Sequence, residues 1–134
     1  MKLNEEERSL IVKMQAGKSE KLLGEIDDLI SLKYWDTTMN RLYYALFHAA
    51  SALLISDGHT VRTHQGISMV LGEHYVKAGL LSAEEGHLYA RIQNLRERSD
   101  YNCSSNVTED DVLPLIAPIR LLASHLIALS QRDR

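Results

Sequence analysis

Apolar residues recur every three to four positions along almost the whole chain, and no run of β-branched residues alternates with polar ones between turns. That pattern predicts helices and no sheet. Ile11, Met14, Leu22, Ile26 and Leu29 share one face of a first helix. Asn4 caps it and Glu7 reaches back to the cap backbone, a capping-box pattern. Gly17 is a weak point at which the helix can bend. The chain turns near "SLKYWD". Asp36 or Thr37 is expected to cap a second helix that runs to about Ser56, with Asp57-Gly58 as its stop. "HTVRT" reads as a short loop. Thr63 caps a third helix through Val76 or Lys77, with Gly79 at the stop. Ser82 with Glu85 is the clearest capping box and opens a fourth helix, which ends near Tyr101. "NCSSNV" is a loop, and Thr108 with Asp111 opens a fifth helix. Pro114 and Pro118 each remove an amide donor there, which predicts a kinked or partly 3₁₀ start. From Leu115 to Leu129 the pattern is apolar and helical.

Five amphipathic helices on short connections predict an all-α, up-and-down bundle, a single domain over residues 1–134. The second helix differs from the others. Tyr43, Tyr44, Leu46, Phe47, Ala49, Ala50, Ala52, Leu53 and Leu54 surround most of its circumference. Such a helix belongs at the bundle centre or at a subunit contact, and its alanines allow close helix approach.

Composition narrows the function classes. A chain of 134 residues that is 45% hydrophobic and 25% charged has the size and apolar content of one packed domain. A net charge of −3 argues against a general polyphosphate binder but leaves room for a local basic site. Cys103, the only cysteine, cannot form an internal disulfide, and a cytoplasmic protein is expected. The start, "MKLNEEERSL", lacks the apolar core of a secretory signal. Apolar runs such as "YYALFHAASALLI" fall short of a membrane span, so no membrane association is expected. Six histidines stand at 48, 59, 64, 74, 87 and 125 without i, i+4 pairing or HExxH, so no metal site is expected. Neither a Walker A motif nor a dinucleotide glycine fingerprint occurs, so no cofactor is expected.

Two sets of residues could carry chemistry. In "NRLYYALFH", Arg41, Tyr44 and His48 lie on one stripe of the second helix: a cation, a phenol and an imidazole. The plain alternative is a set of core-edge groups with satisfied hydrogen bonds. In "RIQNLRERSDYN", Arg96 and Asp100 are spaced i, i+4 and Tyr101 follows at the helix end. An arginine held by an aspartate can grip phosphate bidentately. The plain alternative is a surface ion pair worth about 0–1 kcal/mol, with Tyr101 packing under the next loop.

Three blocks, in order and spacing, carry a family resemblance: "NRLYYALFHAASALL" from Asn40, "RTHQGI" from Arg62 and "LRERSDY" from Leu95. They resemble the HEPN domain family, specifically its small stand-alone prokaryotic members. The resemblance implies a helical bundle that often dimerises. It implies either a metal-independent ribonuclease or a non-catalytic binding domain, often encoded beside a minimal nucleotidyltransferase as toxin and antitoxin. The family's nuclease motif is arginine, four to six residues, then histidine. Arg96 takes the arginine position, but after "ERSD" the histidine position holds Tyr101. A phenol with a pKa near 10 is a poor general base beside an imidazole near 6.5. Arg41 and His48 satisfy the spacing in letters, on a different helix from the family's. The preferred reading is a nucleotide-, RNA- or partner-binding domain, one half of a module with a nucleotidyltransferase. Arg96 contacts phosphate, Asp100 orients it, and Tyr101 stacks or donates. The alternatives are a ribonuclease with a non-standard site and a structural interaction module.

The apolar second helix and the resemblance together predict a homodimer with the Arg96–Tyr101 segments near the interface. Light scattering at high protein concentration should give the mass of two chains; a single-chain mass would refute it.

Overall fold

The computed structural model describes residues 2–60, 63–101 and 106–133; the side chains at 99–101 lie outside the described residues. The described residues are helical and contain no strand. Helix α1 spans Glu5–Gly24, α2 Ile26–Ser31, α3 Trp35–Ser56, α4 His64–Val70, α5 Ala83–Tyr101 and α6 Glu109–Ser130. A π-helical turn, Leu71–Val76, continues α4. Taking α1 with α2 and α4 with its π turn gives the five helical units of the expected bundle.

Helix α3 is the hub, packing against α1, α2, α4, α5 and α6. Leu42, Tyr43, Leu46, Ala49, Ala50, Leu53 and Leu54 are all buried, on several sides of the helix. Small side chains let α1 approach: Ala16 and Ser19 are buried on α1, as are Ala45, Ala49 and Ala52 on α3. The buried Ser19 hydroxyl donates to the Ala45 carbonyl at 2.7 Å, tying the two backbones. On the α6 side, Val112, Ile119, Leu122 and Leu126 fill the core.

The caps fall where the sequence places them. Asn4 Oδ1 accepts from Glu7 N at 2.8 Å, and Glu7 Oε1 accepts from Asn4 N at 3.0 Å. Thr63 accepts from Gly66 N, and Ser82 and Glu85 exchange the reciprocal pair. The Asp111 carboxylate takes both the amide and the hydroxyl of Thr108. Gly58 and Gly79 have φ of 80° and 79°, a region that costs a side chain about 1–2 kcal/mol. Glycine avoids that cost at both helix stops.

Four details differ from expectation. Helix α1 runs unbroken through exposed Gly17, and the interruption comes at Glu25, where it lets Ile26 reach the core. Helix α3 starts at Trp35, before Asp36 and Thr37, because Lys33 at φ 61° makes the turn and the Tyr34 carbonyl accepts from Thr38 N and its hydroxyl. Helix α6 stays α-helical through Pro114 and Pro118 instead of opening as 3₁₀. Both prolines lie on its exposed side, so the carbonyls they deprive of a partner face water. The π turn carried no signal in the sequence; it brings Leu71 and Tyr75 together into the core. Helix α6 is also long and apolar enough to cross a membrane, a run the sequence reading passed over. Val112, Leu115, Ile119, Leu122 and Leu126 of this helix are buried, whereas Leu113 and Leu121 are exposed.

Glu85 joins α5 to α6. One oxygen takes the Ser82 amide and the other lies 2.6 Å from His125 Nδ1. Burial alone would raise the Glu85 carboxyl, but the hydrogen bonds from His125 and Ser82 outweigh it and hold the carboxyl below its usual value. A carboxyl depressed in the folded chain adds stability above its unfolded pKa, near 4.3, and loses it as pH falls further. Glu85→Gln should therefore lower the melting temperature at pH 7 and reduce its fall below about pH 4. An unchanged acid profile in calorimetry would contradict this.

Candidate RNA-binding site

Three helices meet at one polar cluster on the edge of α3. Tyr43 and Tyr44 are consecutive on that helix, with their rings edge to face and centroids 5.0 Å apart. Tyr43 is buried and Tyr44 half-buried. From α5, Arg96 donates to the Tyr44 hydroxyl at 3.0 Å. Its guanidinium carbon lies 5.2 Å from the Tyr43 ring centre and 5.3 Å from that of Tyr44, within cation–π range of both. From α4, His64 Nδ1 sits 2.5 Å from the Tyr43 hydroxyl, and its ring stacks on Phe47 at 4.5 Å. Thr63, as the cap of α4, sets His64 at the first helical position.

The electrostatics fix the proton on Tyr43. Burial pushes the phenol up to about 12; Arg96 opposes this, and Tyr44 and Glu97 reinforce it. The protonated phenol and His64 Nδ1 share one hydrogen bond, in which Tyr43 donates when Nδ1 is unprotonated and accepts when Nδ1 carries the ring proton. Tyr89, buried on α5, is also held well above the usual phenol range by burial, with Tyr43 adding to the effect. Among the described residues its hydroxyl has no hydrogen-bond partner.

The structure divides the residues singled out from the sequence. Arg96 is in the cluster. The α5 backbone continues through Asp100 and Tyr101, whose side chains lie outside the described residues. The stripe on α3 keeps Tyr44 beside His48, ring centroids 6.5 Å apart, while Arg41 points elsewhere. Tyr44 joins Arg96, whereas Arg41 turns to Glu25 at 3.4 Å and to Asn40 at 2.9 Å. His48 bonds Gln15 at 2.7 Å, and burial, with Lys18 nearby, lowers its pKa. Sequence reasoning missed Tyr43, Phe47 and His64 as site residues. The signal was present in "RTHQGI", where a capping threonine precedes a histidine. Among the described residues, no group of three or more histidine, cysteine, aspartate or glutamate side chains is placed to hold a metal.

Chemically, the cluster offers donors. A guanidinium carries five N–H groups in a planar fork, enough to serve a hydroxyl and an anion together. Stacking on two tyrosines limits the rotamers of Arg96 and pre-orients it.

Comparison with known proteins agrees with this architecture. A family model described as HEPN domain matches residues 15–123. A "UPF0332 protein" of Thermotoga maritima is 29% identical over 110 residues, covering 82% of each chain. One of Archaeoglobus fulgidus is 29% identical over 105 residues, covering 78% of this chain and 83% of its own. A protein named "Putative toxin MJ0605" from Methanocaldococcus jannaschii is 28% identical over 92 residues, covering 69% of each chain.

A spectrophotometric titration should show Tyr43 and Tyr89 ionising above the ordinary tyrosine range, with Tyr43→Phe removing one late step. Unfolded tyrosine loses its proton near pH 10, so stability should fall as pH rises past about 10. Titration of all six tyrosines in one ordinary step would overturn the burial argument.

Proposed function

The chain belongs to the HEPN domain family, and from that premise we propose that it is a toxin-type module whose α3–α4–α5 cluster binds the phosphates of RNA. One observation carries this reading: Arg96 is held against Tyr44, beside a Tyr43–His64 pair, so three helices bring donors to one place. Arg96 grips a phosphate bidentately, Tyr44 holds the guanidinium plane, and the His64 ring lies beside them. Asp100 and Tyr101, which follow Arg96 in the sequence, complete the proposed set of binding residues. The resemblance to small stand-alone members supports pairing with a nucleotidyltransferase protein and a homodimer that brings two such sites together. The archaeal relatives named as toxins support the toxin-type reading.

A second reading is metal-independent RNA cleavage, favoured by an imidazole beside the arginine although Tyr101 stands at the motif histidine. His64, hydrogen-bonded to Tyr43 through Nδ1, is the imidazole this route would use.

Binding is tested by fluorescence anisotropy with a labelled single-stranded RNA. Hydrogen bonds to a charged group contribute about 1.5–3 kcal/mol, so Arg96→Ala should weaken binding about tenfold to a hundredfold. Arg96→Lys should recover only part of that, because the fork is lost. Equal affinity in all three proteins would refute the reading. Tyr101→His restores the Arg-x₄-His spacing and should raise cleavage measured with a chelator present. Brisk wild-type cleavage untouched by Arg96→Ala would place the reaction elsewhere.

A further inference from the structure

Next to the cluster, on the far side of His64, lies a cavity of about 260 Å³ between α3, the following loop and α4. It is lined by Phe47, Ser51, Leu54, Ile55, His59, Thr63, His64 and Ile67. Three properties decide what it takes. Its volume is just below the about 300–1,000 Å³ of ordinary ligand pockets, room for one ring system and not for a whole nucleotide. Among the described residues its lining contains no lysine, arginine, aspartate or glutamate. It combines apolar walls from Leu54, Ile55 and Ile67 with aromatic groups, Phe47 and the two histidines, and two hydroxyls. The Thr63 oxygen accepts from Gly66 N, which leaves its own proton to donate. A neutral, planar heteroaromatic ring with edge donors and acceptors fits that lining.

We propose that this cavity is a nucleobase subsite, which takes one unstacked base of a single-stranded RNA whose phosphate is held at Arg96. The inference rests on the phosphate-binding reading above and deepens it. His64 belongs to both places: its ring lines the cavity and its Nδ1 is fixed by Tyr43 in the cluster. Unpaired RNA is recognised in this way, by bases splayed into aromatic and apolar pockets while cations hold the backbone. Double-stranded RNA keeps its bases stacked and cannot fill the cavity.

The test compares a short labelled single-stranded RNA with an abasic ribose-phosphate oligomer of the same length. Wild-type protein should bind the base-containing oligomer at least tenfold more tightly. Ser51→Leu, which fills the cavity from α3, should shrink that ratio below about twofold in a protein whose circular dichroism and melting are normal. A second measurement separates the two claims. Adenosine, cytidine, guanosine and uridine, which lack phosphate, are titrated into the protein and into Arg96→Ala. At least one should shift the amide resonances of Ser51 and Thr63 in both. Nucleoside shifts without oligomer binding would sustain the base subsite and sink the phosphate site. Equal affinity for the two oligomers, or no nucleoside shift at Ser51 and Thr63, would overturn the base subsite.

Discussion

Helix α3 is apolar around most of its circumference and must be covered on nearly every side. Each buried leucine-sized side chain contributes about 1.5–3 kcal/mol relative to exposure, so this one helix supplies a large part of the core. The other helices are arranged by that demand. Helix α1 closes over the alanines, where the absence of bulky side chains lets Ser19 reach the Ala45 carbonyl. Helix α6 closes a second side with Ile119, Leu122 and Leu126. Helices α4 and α5 close the remainder, and the polar cluster forms where they meet the aromatic end of α3.

That origin explains the chemistry of the site. Tyr43 is at once a core residue and a site residue. Burying a phenol is costly unless its hydroxyl is paired, and His64 Nδ1 provides the partner. The core therefore orients the imidazole. Tyr44, one residue on, points far enough toward solvent to receive Arg96. The same packing that stabilises the fold thus sets the direction of three polar groups, which suits binding an anion.

Local signals in the sequence were largely readable. Each capping box is a short pattern of adjacent residues, and Gly58 and Gly79 mark positions where φ is positive. What was misread depended on distant residues. Gly17 could remain helical because it is exposed, whereas the break at Glu25 is set by where Ile26 must go. The prolines of α6 proved harmless because of the side they face. The stripe of Arg41, Tyr44 and His48 was sound as helix geometry, but Glu25 and Gln15 on neighbouring elements claimed two of its members. His64 lies 32 residues before Arg96 in the chain, and only the fold brings the two together.

The central claim is that Tyr44 and Arg96 act as one unit toward phosphate. A double-mutant cycle on RNA affinity, with Tyr44→Phe, Arg96→Ala and the pair, tests it most directly. The account predicts that Tyr44→Phe weakens binding in the wild-type background and has no further effect once Arg96 is gone. Losses that add to within about 0.5 kcal/mol would show the two side chains acting independently, and would contradict it.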